Sequence, residues 1–347
     1  MNKLDIQRDV PLAPLTSLEL GGSAKHFLRA EDEQTLLGAL RWASEQGLPA
    51  AILAGGSNVL VPDAGYDGLV IHMALGALDF DGGHIRAGAG VPWEQVVDGA
   101  VTRGWAGVEC LTGIPGSTGA TPIQNVGAYG QEVAEVIESV RVIARDTLEP
   151  EELSADQCAF AYRDSRFKRE PERFVLTAVA FSMRPGGAPS IRYAELERSV
   201  SPAASLEEVR RSVLELRRRK SMVLDANDPN RRSAGSFFLN PIVSRDEAAR
   251  VAEQALRDGL IAEPREMPAY PSDDGGTKLA AAWLIEQAGI AKGTRRGAVG
   301  VSTRHALALV HHGGGTTAEL LAFADEIRAR VGERFGVELE REPRLLA

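Results

Sequence analysis

Two rhythms of apolar and polar positions run along this chain, and the change from one to the other marks its organisation. In residues 31–46, EDEQTLLGALRWASEQ, apolar side chains recur at helical spacing and Gly47 follows as a C-terminal cap. The apolar AAILA at 50–54 predicts a buried strand, followed by the turn Gly55-Gly56-Ser57-Asn58 and the strands VLVP and GLVIHM. This β–α–β opening predicts a first unit over residues 1–72. A second, over 73–220, takes in the strand HIRAGAG, a helix opened by Pro92, and the strands VIESVRVIA and FVLTAVAFSM. From about residue 200 the rhythm turns helical. Ser205-x-x-Glu208, Ser244-x-x-Glu247 and Thr316-x-x-Glu319 are capping-box patterns, each predicting a helix of about twelve residues or more. TKLAAAWLIEQAG predicts a further helix ending at Gly289, and HALALV a strand, within a third unit over 221–347. The fold class is α+β.

One stretch fits neither rhythm. Residues 113–130 read GIPGSTGATPIQNVGAYG, with five glycines, two prolines and no charge. Glycine serves where backbone takes positive φ or presses against a ligand, and Pro115 and Pro122 stiffen the path. Ile114, Ile123, Val126 and Tyr129 are too apolar for a flexible spacer. A packed connection between strands and a backbone cradle for a large anionic cofactor both satisfy this pattern.

Composition narrows the choice. At 347 residues the chain is long enough for two or three cores, and 44% hydrophobic with 25% charged residues is ordinary for a globular protein. The first thirty residues hold no apolar core with basic flanks, and no apolar run approaches the ~20 residues of a membrane span, so a cytoplasmic protein is expected. The two cysteines, Cys110 and Cys158, show no metal-ligand spacing, which predicts a reducing compartment and no metal site. A net charge of −9 argues against a nucleic-acid partner. Against that background stand two basic spots, Arg217-Arg218-Arg219-Lys220 and Arg231-Arg232. Such runs are either solvated faces or a local site for phosphate or carboxylate groups.

The glycines match neither GxxxxGK[ST] nor GxGxxG, so a nucleotide-like cofactor would need another architecture, such as backbone amides in glycine turns. Six segments in order do resemble one family: GGSN at 55–58, GIPGSTGATPIQNVGAYGQE at 113–132, YRDSRFK at 162–168, AGSFFLNP at 234–241, KLAAAWLIEQ at 278–287 and LEREPR at 339–344. Together they look like the UDP-N-acetylenolpyruvoylglucosamine reductases, in the longer form with an extra tyrosine segment. The resemblance implies an FAD-binding domain of the vanillyl-alcohol-oxidase type in two subdomains, then a substrate-binding domain. It implies non-covalent FAD, NADPH as co-substrate taking turns with the UDP-sugar in one pocket, no membrane partner, and a monomer.

By the same resemblance FAD is held at Gly55, Gly56, Ser57, Asn58, Gly116, Gly119, Thr121, Ile123, Gly127 and Tyr129. Arg163 is the catalytic arginine of the YRxS pattern; taken alone, it would read as a surface ion pair with Asp164 or Glu170. Ser236 is the proton donor, with Ser233 as its non-catalytic neighbour. Glu342 matches the second glutamate of the terminal motif, although Arg341 stands where proline is common, which keeps Glu340 in view. Tyr193, Lys220 and Asn240 match residues that hold the UDP diphosphate and sugar. Lys278 belongs with them, and His305 is either near the active site or a satisfied structural histidine. An alcohol or hydroxy-acid oxidase on the same fold, and a non-catalytic binding module, are the rival readings.

Overall fold

The computed structural model describes residues 4–272 and 275–346, and these group into two compact units. The first is built from Met1–Pro11, Ser23–Gly56 and Tyr66–Leu224, the second from Leu12–Gly22, Ser57–Gly65 and Asp225–Ala347. Against the linear division at 72 and 220, two short stretches early in the chain join the C-terminal unit, so the turn Gly55–Asn58 is shared between the two.

The first unit holds two sheets. One orders Gln7–Pro11, Ser23–Ala30, Tyr66–Met73 and Ala50–Leu53, parallel except at its first strand. The helix Glu33–Glu45 begins at Asp32, whose carboxylate accepts the Thr35 amide at 2.7 Å, and its Leu36, Ala39 and Leu40 are buried. The other sheet orders Pro150–Ser154, Ile137–Ala144, Phe174–Ser182, His84–Gly88 and Leu78–Asp81, antiparallel throughout. Its inward face packs with the helix Trp93–Thr102 around Trp93, Val97, Val140 and Phe181. That helix opens at Pro92, and the Trp93 amide donates to the Gly116 carbonyl at 3.0 Å, which ties the glycine-rich stretch to its start.

In the second unit, the helices Arg245–Arg257, Ala281–Gln287 and Thr317–Phe335 cover a core containing Phe237, Phe238, Leu284, Val299, Leu309 and Ile327. All three capping boxes form, at Ser205, Ser244 and Thr316. The helix predicted from 277 begins later, at Ala281, because Thr277–Leu279 is pulled into a sheet against Ile242–Val243 and Ala269–Pro271. The HALALV strand likewise shrinks to Leu309–His311.

Candidate active site

The stretch 113–130 is a fixed loop. Gly55 and Gly116 touch backbone to backbone: a Cβ on Gly55 would stand 2.7 Å from the Gly116 Cα. Gly119 abuts Ala89 as closely, since its Cβ would lie 2.4 Å from that side chain. The Thr121 hydroxyl donates within the loop to the Thr118 carbonyl at 2.8 Å, and the Ile123 carbonyl accepts from the buried Ser165 hydroxyl at 2.6 Å. Asn125, absent from the expected set, is a hub. Its amide donates to Glu132 at 2.7 Å and the Ala161 carbonyl at 3.0 Å, and its oxygen accepts the Ala134 amide at 3.1 Å. Both Asn125 and Tyr129 hold positive φ, at 43° and 51°.

Arg163 is oriented by this loop. Its guanidinium donates to the carbonyls of Asn125, at 3.1 Å, and Gly127, with Glu132 at 3.8 Å. Asp164 and Glu170, its alternative partners, pair instead with Arg169 and with Arg166 and Arg173. Gly127, expected at the cofactor, gives its side-chain space to Arg163: a Cβ there would lie 2.8 Å from Nη1. A guanidinium has five N–H donors, so two carbonyls can immobilise it while others stay available for a carboxylate.

Tyr129 packs edge-on against Tyr193, their ring centroids 5.5 Å apart, and the Lys220 ammonium lies 5.7 Å over the Tyr129 ring. Lys220 is ion-paired with Glu195. Burial pushes the Tyr129 phenol up to about 12, against the opposing effect of Arg217. Arg217, far from solvated, is buried; desolvation lowers its pKa, and its Nε lacks a hydrogen-bond partner. Below this cluster the fully buried Glu109 accepts from the amides of Gly107 and Ser190, at 2.8 and 2.7 Å, and from Gln131 at 3.3 Å. Glu109 thereby fastens the start of the Tyr193 segment.

In the second unit, Ser236 precedes Phe237 and Phe238, whose buried rings pin the backbone. The Glu342 amide donates to the Phe237 carbonyl at 2.9 Å, so the Ser236 and Glu342 segments run side by side. Glu340 pairs by its carbonyl with Leu239 at 3.0 Å and is exposed, whereas Glu342 is half-buried. The Asn58 amide donates to the Glu342 carbonyl at 3.4 Å. The Asn240 oxygen accepts the Ala281 amide at 3.0 Å, at the first residue of that helix. His305 accepts the Leu307 amide through Nδ1 at 3.1 Å. Lys278 lies between Ile242 and Tyr270 in the three-stranded sheet.

Glu19, also unforeseen, clamps Arg231 and Arg232 at once while holding a φ of 53°. That second basic spot is therefore internally paired, and the clamp fixes the loop leading to Ser236. Ser233 forms a bridge with Val310 and accepts the Gly235 amide at 3.4 Å, a structural role.

Two observations test whether FAD fits. The glycine turns leave no room for side chains, as a backbone cradle for pyrophosphate requires. The Ser117 hydroxyl, in the middle of that cradle, is buried without a hydrogen-bond partner. Both suit an extended anionic cofactor. Among the described residues no helix is long and apolar enough to cross a membrane.

The α+β fold and the glycine-rich loop suit a protein that holds an extended anionic cofactor, and the comparisons make that class an FAD-dependent oxidoreductase. The FAD binding domain family matches residues 24–147, and the C-terminal domain of UDP-N-acetylenolpyruvoylglucosamine reductase matches 228–346. The UDP-N-acetylenolpyruvoylglucosamine reductase of Streptomyces coelicolor is 46% identical over 342 residues, 96% of this chain and 88% of that protein. Its counterpart in Thermobifida fusca is 45% identical over 346 residues, 97% of this chain and 96% of that one. The crystal structure of the Thermus caldophilus enzyme (MurB) shares the fold at a TM-score of 0.68, with 24% identity over 99% of this chain and all of that one. The chain belongs to the UDP-N-acetylenolpyruvoylglucosamine reductase family.

Proposed function

We propose that this chain reduces the enolpyruvyl ether of UDP-N-acetylenolpyruvoylglucosamine to the lactyl ether of UDP-N-acetylmuramate, a precursor of peptidoglycan, at the expense of NADPH in the cytoplasm. One hydride and one proton add across the carbon–carbon double bond, the hydride at the terminal carbon and the proton at the carbon bearing the ether oxygen. FAD, held by the glycine cradle, supplies the hydride relay from NADPH. The chain's own residues bind, neutralise and protonate. Arg163, fixed by the Asn125 and Gly127 carbonyls, neutralises the charge that builds on the substrate carboxylate. Ser236 delivers the proton from its hydroxyl. Glu342 orients that hydroxyl and bonds the substrate carboxyl. Tyr193, Lys220, Asn240 and Lys278 hold the UDP-sugar.

The observation that supports these roles is the backbone bond from Glu342 to Phe237, which lays the Glu342 segment beside the Ser236 segment; Glu340 pairs in the same bridge but is exposed, whereas Glu342 is half-buried. The test is anaerobic. Protein reduced with one equivalent of NADPH is mixed with the enolpyruvyl sugar nucleotide, and the flavin absorbance is followed. Fast return of colour is expected, faster than in a parallel sample of the reduced protein mixed with oxygenated buffer and no sugar nucleotide. Rapid reoxidation by oxygen with none by the sugar nucleotide would make the protein an oxidase instead.

A further inference from the structure

We infer that Glu195 is a built-in competitor for the substrate's diphosphate: it holds Lys220 until a diphosphate takes its place, and so sets the affinity and charge selectivity of the site. The inference rests on the reading of Lys220 and Tyr193 as diphosphate ligands. Glu195 sits in the short helix Ala194–Glu197 that begins directly after Tyr193, and its carboxylate is bonded to the Lys220 ammonium. The same ammonium lies over Tyr129, which touches Tyr193 edge-on. A lysine is one point charge with three donors, and a carboxylate and a phosphate offer it the same anionic oxygens.

Two consequences follow from the burial of the pair. Lys220 is 30% and Glu195 36% exposed, so the bond is solvent-screened and exchangeable. Yet it keeps the flexible lysine stem placed over the tyrosine ring before a ligand arrives, which lowers the ordering cost of binding. An uncharged sugar has nothing to offer in exchange for the carboxylate, whereas a diphosphate brings more charge than the carboxylate it displaces. Glu195 therefore costs some affinity and returns discrimination.

The experiment is calorimetric titration of the FAD-loaded protein with UDP, for the parent, Glu195→Gln, Lys220→Ala and the double variant, each checked for flavin content and melting temperature. Glu195→Gln should tighten UDP by roughly two- to fivefold, the range of a half-exposed ion pair. Lys220→Ala should weaken it by roughly tenfold or more, as for a lost charged hydrogen bond. In the Lys220→Ala background the Glu195 substitution should have no effect. If Lys220→Ala weakens UDP while Glu195→Gln leaves it unchanged or weaker, Glu195 supports the site and the inference is wrong. Equal tightening with and without Lys220 would reduce the effect to general charge removal, also against it. Should Lys220→Ala leave UDP binding untouched, the reading of Lys220 as a diphosphate ligand fails first and takes the inference with it.

Discussion

At the scale of single residues, the groups that matter are those whose freedom has been removed by partners far away in sequence. Glu19 accepts from Arg231 and Arg232 and steadies the loop that ends in Ser236. Burial acts to raise its carboxyl, but the two arginines outweigh that and hold it below the ordinary 4.5. With the folded value depressed, the stabilisation is complete above the ordinary carboxyl range and is lost as pH falls through the depressed value. Glu19→Gln should lower the melting temperature at neutral pH by about 2–4 °C, the shift for ~1 kcal/mol in a unit of this size. The gap from the parent should narrow as pH falls below the ordinary carboxyl range and through the depressed value; a gap undiminished in acid would assign the loss to packing instead of charge. Arg163 gives a second prediction. Gly127→Ala would set a methyl 2.8 Å from its Nη1, so the guanidinium must shift. FAD should stay bound, while reoxidation of reduced flavin by the sugar nucleotide slows by up to roughly 10²-fold, the penalty of a ~1 Å misplacement. Unchanged reoxidation would show that the guanidinium position does not matter.

At the scale of elements, what the sequence revealed was local. The capping boxes at Ser205, Ser244 and Thr316 formed because a box is closed by residues three apart. Thr277–Leu279 was misread because its strand state depends on pairing with Val243 and Pro271, which no local period reports. The glycine-rich stretch stood out by composition, but its locks did not: Ser165 on Ile123, Asn125 on Glu132, and Glu109 on Ser190 join segments that periodicity treats separately. Family motifs pointed to Arg163, Ser236 and Glu342, while Ser117, Asn125, Glu109 and Glu19 emerged only from geometry. The contact of Gly55 with Gly116 carries the element-scale prediction. Gly55→Ala would press a methyl 2.7 Å from backbone that cannot swing away, an overpacking cost of about 1–3 kcal/mol. The purified variant should lose most of its bound flavin, read as the ratio of absorbance at 450 and 280 nm (wavelengths of roughly the usual flavin and protein bands). Full flavin content would mean the turns do not form the cradle.

At the scale of the whole molecule, the two units each draw on separated stretches of chain, which linear reading could not anticipate. Val59–Leu60 joins the second unit by pairing with Arg344–Leu345, and Leu18 does so through its carbonyl to His311 at 3.0 Å. Non-covalent FAD is expected from the thiols as well as from the cradle. Cys110, near the cradle in sequence, is fully buried, donates to the Ser190 carbonyl at 3.1 Å, and is pushed up to about 12 by burial. At neutral pH it is a protonated thiol and no nucleophile. Denaturation should therefore release all the flavin into the filtrate; flavin retained on the polypeptide would contradict this.

The most direct measurement follows from the division of labour among these groups. Flavin reduction by NADPH asks the chain only to hold both nucleotides, whereas in the proposed mechanism reduction of the enolpyruvyl group needs a proton from Ser236. In rapid-mixing experiments Ser236→Ala should take hydride from NADPH at nearly the parent rate, yet be reoxidised by the sugar nucleotide roughly 10²–10⁴-fold more slowly. Glu342→Gln should show the same split, and Glu340→Gln and Ser233→Ala should not. If Ser236→Ala slowed both half-reactions equally, Ser236 would be a structural residue and the proton-donor assignment would be wrong.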